Sequence, residues 1–189
     1  RAELEDLLAA PEEYDEKRRA LVAEIAIRRL GLDQLWWMVT PGNPLKSRNH
    51  LAPLAERIAL SETIATDPHI KVTAFEQSIG ISYTANTLAR VKARNPHVHF
   101  VWIMGADSLE TFHKWQKWQD IARTFPIAVI DRPGSTLSYL SSKMAKTFAF
   151  ARIDEDDARA LWKKPAPAWT FIHGPRSALS STAIRKAAE

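Results

Sequence analysis

Hydrophobic and polar positions alternate with two different periods along this chain. Short apolar runs, bounded by Pro, Gly or polar residues, have the length and composition of buried strands. The runs that we interpret in this way are LWWMVT (35–40), IKVTAF (70–75), VHFVWIMG (98–105), PIAVIDRPG (126–134, ending in a loop), the strand-like FARI (150–153) and AWTFIH (168–173).

Stretches with helical spacing of apolar residues separate these runs. In ALVAEIAIRRL (20–30), Leu21 and Ile25 fall on one face, and Gly31 is suited to end the helix. Another helix is predicted to begin at Asp107, which is followed by a Glu at capping-box spacing. The remaining predicted helices are 49–65 with Pro53 in its first turn, 84–95, 138–148, and a short one within 177–189.

Strands that alternate with helices indicate βαβ units. We therefore predict an α/β, Rossmann-like fold, with a mostly parallel sheet and helices on both faces. Ligands of such sheets bind beyond the carboxyl ends of the strands. The segments predicted to lie there are TPGNPLK (40–46), GADSL (105–109) and DRPGS (131–135).

Composition narrows the class of protein. The chain has 189 residues, of which 46% are hydrophobic and 25% charged, as in a globular domain. No apolar run approaches the roughly 18 residues of a membrane span, and the absence of cysteine fits a cytosolic protein. Residues 1–19 carry four basic and seven acidic side chains, which leaves a charge of +7 on residues 20–189. The positive charge of residues 20–189 indicates an anionic partner, either a nucleotide or a nucleic acid.

Cationic and hydroxyl side chains mark candidate phosphate sites. Lys46 and Arg132 follow predicted strands, where each either binds a phosphate or remains an ordinary surface cation. Near the end of the chain, Ser180 and Ser181 precede a helix-like stretch that carries Arg185. Hydroxyl residues there act as a helix cap, as a phosphate cradle supported by the helix dipole, or as both.

The segment MGADSLETFHKWQKW combines a glycine, a carboxylate and two tryptophans. Gly105 permits close approach of the backbone, and Asp107 is placed to cap a helix. Trp115 and Trp118 either pack in the core or offer a flat surface on which a planar ring stacks.

The ordered motifs TPGNPLK, SYTANTL, MGADSLETFHKW, IDRPG and LSSTAIRK resemble bacterial nicotinate-nucleotide adenylyltransferases of the nucleotidyltransferase superfamily, in their alphaproteobacterial form. The resemblance covers residues 20–189 and implies the Rossmann-like nucleotidyltransferase fold. It also implies roles for individual residues. ATP and phosphates would be bound by Lys46, Gly105, Asp107, Arg132, Ser180, Ser181 and Arg185, and the nicotinate group by Tyr83, Thr84 and Trp115.

The activity implied by the resemblance is adenylyl transfer from ATP, with Mg²⁺, to nicotinate mononucleotide in NAD biosynthesis. The products would be deamido-NAD and pyrophosphate, and the location cytoplasmic. The partners would be these small molecules, with no membrane and no nucleic acid. A nucleic-acid binder remains an alternative on the +7 charge alone, without a recognisable reading module.

The chain departs from the family's pattern before residue 20. The family's first strand, with the loop G-G-[ST]-F-[DN]-P-x-H-x-G-H, does not occur there, and RAELEDLLAAPEEYDEKRR (1–19) is an acidic extension outside the pattern. No catalytic histidine or metal ligand is therefore identified, and we interpret His97 and His99 as a solvated pair. The alternative function is a catalytically silent nucleotide-binding relative, or a deletion form.

Overall fold

A computed structural model of the chain describes residues 11–41, 52–80, 83–131 and 137–174. Helices and short parallel strands alternate through these ranges. The α-helices are α1 (Pro11–Leu30), α2 (Leu54–Ile64), α3 (Phe75–Ile79), α4 (Thr84–Arg94), α5 (Ala106–Thr111), α6 (Trp118–Thr124) and α7 (Lys143–Thr147). The strands are β1 (Leu35–Met38), β2 (Ile70–Thr73), β3 (Trp102–Gly105), β4 (Ile127–Ile130) and β5 (Trp169–Ile172). 3₁₀ helices span Phe112–Lys114, Leu137–Ser141, Ala149–Ala151 and Glu155–Lys163.

Every strand pairing in the described residues is parallel. β1 pairs with β2, and β3, β4 and β5 form a three-stranded sheet in that order. In register, Trp37 lies beside Val72, and Met104 beside Val129. The predicted α/β fold with a parallel sheet and covering helices is confirmed.

A hydrophobic core lies on each side of the strands, because side chains of a strand alternate between its two faces. The α1-side core contains Ala26 and Leu30 of α1 together with Leu35, Ala128 and Ile172 from the strands. The α4-side core is formed mainly by α4, α6, α7 and the opposite strand faces; among its members are Leu88, Ile121, Met144, Val129 and Phe171.

α1 is one uninterrupted helix across residues 19 and 20. Pro11 is its first residue, a position where the missing N–H of proline costs no helical hydrogen bond. As predicted, Gly31 ends the helix in the left-handed conformation, with φ of 65° and its N–H donated to the carbonyl of Ile27.

Several predicted element boundaries are wrong. The helix after β3 begins at Ala106 with Gly105 as its N-cap residue, so Asp107 lies in the first turn and does not cap the helix. Residues 150–153 do not form a strand. Its first two residues belong to a 3₁₀ helix, and Arg152 forms an isolated parallel bridge with Trp169 of β5. The predicted run 98–105 is strand only from Trp102.

Candidate active site

The carboxyl ends of the strands place the predicted site residue Gly105 at the same edge of the sheet as Asp131 and His173, which were not predicted. Gly105 ends β3, Asp131 directly follows β4, and His173 directly follows β5. The backbone N–H of Asp131 donates to the carbonyl of Ile172 at 2.8 Å, so β4 and β5 stay paired up to this edge. Parallel order therefore gathers these chain segments at one edge of the sheet.

The turn from β3 into α5 is tight and partly exposed. Gly105 is buried, whereas Asp107 in the first turn of α5 is exposed. A carboxylate in a first turn interacts favourably with the positive end of the helix dipole. The two residues lie at the carboxyl end of β3, as the sequence indicated, and their role in nucleotide binding stays a prediction.

Tyr83 and Thr84 lie at the start of α4, as predicted. Tyr83 is the N-cap residue, its side chain is 40% exposed, and its carbonyl accepts the N–H groups of Asn86 and Thr87. Thr84 is half-buried, and no side-chain hydrogen bond caps this helix. N–H groups at a helix start, together with the dipole, favour a bound anion such as a carboxylate.

The two tryptophans have different surroundings. Trp118 lies edge-on between Phe112 and Phe148, with ring centroids 5.9 Å from each, and is partly buried against the α4-side core. Trp115 contacts one of these rings, Phe112, at 5.5 Å, and remains partly exposed at the border of the α4-side core. Both tryptophans are thus partly buried, and Trp115 has one aromatic neighbour where Trp118 has two.

A polar cluster that the sequence analysis did not identify lies beyond β5. The ring Nδ1 of His173 is 2.7 Å from one carboxyl oxygen of Glu155, whose other oxygen accepts the His173 backbone N–H at 3.0 Å. Arg29 of α1 also donates to Glu155, at 3.3 Å. Burial alone raises the pKa of Glu155, but the hydrogen bonds and charges of His173 and Arg29 outweigh it, so that the pKa lies below its usual 4.5.

Glu76 is a second residue that the sequence analysis did not identify, and its carboxyl group is buried just after β2. Its side chain belongs to α3 and is 8% exposed. It accepts a hydrogen bond of 3.0 Å from the hydroxyl of Thr87, which is fully buried. The one available signal was a charged residue next to the apolar run IKVTAF, and it does not reveal burial.

Other predicted site residues lie outside the described residues: Lys46, Arg132, Ser180, Ser181 and Arg185. His97 and His99 are exposed, and the ring of His99 packs against Trp162 with centroids 5.0 Å apart. Among the helices of the described ranges, none has the length and apolar character to cross a membrane.

Comparison with known proteins identifies the family to which the chain belongs. The cytidylyltransferase-like family model matches residues 20–187. The chain therefore belongs to the cytidylyltransferase-like family, and we class it among the nucleotidyltransferase enzymes.

Curated relatives carry a more specific name. The chain is 88% identical over 169 residues to a probable nicotinate-nucleotide adenylyltransferase of Rhizobium etli, which covers 89% of this chain and 88% of that protein. Proteins of the same name from Agrobacterium fabrum and Brucella abortus are 78% and 67% identical, each over 88% of this chain and over 89% and 86% of their own lengths. The predicted resemblance to this group is confirmed.

Proposed function

We propose that this protein transfers the adenylyl group of ATP to nicotinate mononucleotide, forming deamido-NAD and pyrophosphate in NAD biosynthesis in the cytoplasm. The observation that carries the proposal is 88% identity over 169 residues to a relative named for nicotinate nucleotide. The position of Thr84 at the start of α4 supports it, because that location suits the carboxylate of a nicotinate ring.

The chemistry needs little from the protein beyond alignment and charge neutralisation. A phosphate oxygen of the mononucleotide bonds to the α-phosphorus of ATP, and the bond from that phosphorus to the bridging oxygen of pyrophosphate breaks. The attacking phosphate is already ionised at neutral pH, so no covalent serine and no strong base is required. N–H groups and cations serve such a reaction.

In this proposal, two groups of residues bind the two ends of the substrates. Thr84 donates its hydroxyl and N–H to the nicotinate carboxylate, beside Tyr83, and Trp115 stacks on the pyridine ring. The phosphates and ATP are bound along the sheet edge by Lys46, Gly105, Asp107, Arg132, Ser180, Ser181 and Arg185. Ser180 and Ser181 act as binding groups and not as nucleophiles.

Mg²⁺ is expected to enter with ATP as part of the substrate. Mg²⁺ prefers oxygen ligands, and the carboxyl groups of Asp107 and Asp131 lie at the same edge of the sheet. The ion supplies charge neutralisation for the triphosphate, while the residues above orient the two reactants.

The direct test is product analysis. The purified chain is incubated with ATP, Mg²⁺ and nicotinate mononucleotide, and pyrophosphate and dinucleotide are measured, with a control lacking the mononucleotide. We expect equal amounts of both products, and none in the control. A rise in melting temperature with ATP but no product would instead support the silent nucleotide-binding alternative.

A further inference from the structure

α3 and α4 are joined by a buried hydrogen bond between side chains. The hydroxyl of Thr87 donates to one carboxyl oxygen of Glu76 at 3.0 Å, and the two side chains are almost completely buried. Among the described residues, Glu76 has no ion-pair partner. Burying a carboxyl group is costly unless its oxygens are hydrogen-bonded, so this contact has a definite reason to persist.

The contact lies one turn from the start of α4. The Thr87 N–H donates to the carbonyl of Tyr83 at 3.1 Å, and its hydroxyl is also 3.3 Å from that carbonyl. Thr87 thus joins Glu76 on one side to the N-cap residue on the other. A second contact steadies the same pair of helices, because the guanidinium of Arg94 lies over the ring of Phe75 at 5.9 Å.

We propose that Glu76, acting through Thr87, is a positioning residue that sets the start of α4 for recognition of the pyridine carboxylate. Glu76 follows the carboxyl end of β2, which fixes α3 at the ligand edge of the fold. The inference rests on the proposed function, since it assigns to this buried pair the placement of Tyr83 and Thr84. Glu76 itself need not touch a substrate.

The test compares KM values for the two substrates in variants of each partner. Thr87→Val keeps the shape of the side chain and removes the hydroxyl, and Glu76→Leu removes the acceptor. We expect each to raise KM for nicotinate mononucleotide about fivefold to tenfold, the effect of one hydrogen bond, with KM for ATP changed less than about twofold. Gln77→Ala, an exposed side chain on the same helix, is the matched control and changes neither KM.

Conservative variants distinguish positioning from general stability. Glu76→Gln keeps an oxygen acceptor and Thr87→Ser keeps a hydroxyl, so each variant should retain most of the native affinity for nicotinate mononucleotide. The double variant Glu76→Leu with Thr87→Val should raise KM for nicotinate mononucleotide no more than the single variant with the larger effect, because both changes remove the same contact.

The possible outcomes separate this inference from the proposed function. A lower melting temperature in Thr87→Val and Glu76→Leu, with both KM values unchanged, overturns the positioning role while the function stands. If the native chain shows no turnover, calorimetric binding of nicotinate mononucleotide replaces KM as the readout. Absence of both turnover and binding contradicts the function and the inference together.

Discussion

Thr84 is the first residue of α4, so its hydroxyl and N–H lie at the positive end of an 11-residue helix. A nicotinate carboxylate accepts hydrogen bonds from such donors, whereas the amide of nicotinamide directs its own N–H groups at them. Leaving donors unpaired costs roughly 1–3 kcal/mol each. We therefore predict that the unmutated enzyme prefers nicotinate over nicotinamide mononucleotide by about tenfold to a few hundredfold in kcat/KM.

Substitutions at two residues should affect this preference differently. Thr84→Ala should narrow the ratio of the two kcat/KM values, with Thr84→Ser as the control that keeps the hydroxyl. Trp115→Ala should lower both values with less change in the ratio, since an aromatic surface stacks on either ring. Equal efficiency with the two mononucleotides in the unmutated enzyme would show that the carboxylate interpretation is wrong.

At the scale of elements, Glu155 connects three of them, since it begins a 3₁₀ helix, accepts from Arg29 of α1 and binds His173 beyond β5. Its pKa is lowered in the folded chain, so its stabilising contribution is present above its usual pKa of 4.5 and is lost as pH falls through the lower folded value.

We therefore predict that Glu155→Gln destabilises the fold at pH 7 by about 0.2–1 kcal/mol, because the carboxylate is only partly buried. The difference in unfolding free energy between the native chain and this variant should shrink as the pH is lowered from 6 towards about 3. Urea unfolding at several pH values measures it, with Asp156→Asn, an exposed neighbour, as the control. A difference that stays constant over that range contradicts the assigned role.

Elements with a strong local pattern were predictable from the sequence. The apolar runs in PIAVIDRPG and AWTFIH form fully buried strands, and LWWMVT forms a strand buried at alternate residues. α4 begins at Thr84, as its pattern indicated. The run FARI was misassigned as a strand because its composition is β-like. In the structure it contributes to a 3₁₀ helix and forms a single bridge to Trp169. Short 3₁₀ segments and the five-residue α3 depend on tertiary contacts, which a pattern of single residues does not contain.

The candidate site was predictable where family motifs mark it. The positions of Tyr83, Thr84, Gly105 and Trp115 follow from SYTANTL and GADSLETFHKW once the parallel order of strands is known. Glu76 was missed because its burial results from the packing of α3 against α4, which brings it to Thr87, 11 residues further along the chain. Charge and spacing along the chain carry no information about that contact.

At the scale of the whole molecule, the described strands form two separate parallel sheets, one of two strands and one of three. α1 packs against both sheets, and Trp36 of β1 contacts Phe100 before β3 at 5.9 Å, but β1 and β3 are not paired within the described residues. In β1, the neighbours of Trp36 form the hydrogen bonds to β2, and in β3 the neighbours of Ile103 form those to β4. The backbone groups of Trp36 and Ile103 therefore point to the opposite, unpaired edge of each strand. Unpaired strand edges of this kind are suited to accept another strand.

The family resemblance predicts that the strand between β1 and β3 is the family's first strand, which carries the glycine-rich loop with the H-x-G-H histidines. We therefore expect that a chimera with the N-terminal segment of the Rhizobium etli relative in place of residues 1–19 melts at a higher temperature than the 189-residue chain. Its kcat/KM should rise by at least about a hundredfold, as is typical when donors to a transition-state phosphate are supplied. Equal stability and activity of the two forms would contradict the prediction of a missing strand.

Adenylyl transfer itself is tested most directly by following the phosphorus atoms of ATP. The chain and the chimera are each given nicotinate mononucleotide, Mg²⁺ and ATP that is labelled with ³²P at either the α- or the γ-position. Our account predicts that the α-label appears in the dinucleotide and the γ-label in pyrophosphate. Movement of the γ-label to the mononucleotide, or no transfer of the α-label by either protein, would contradict it.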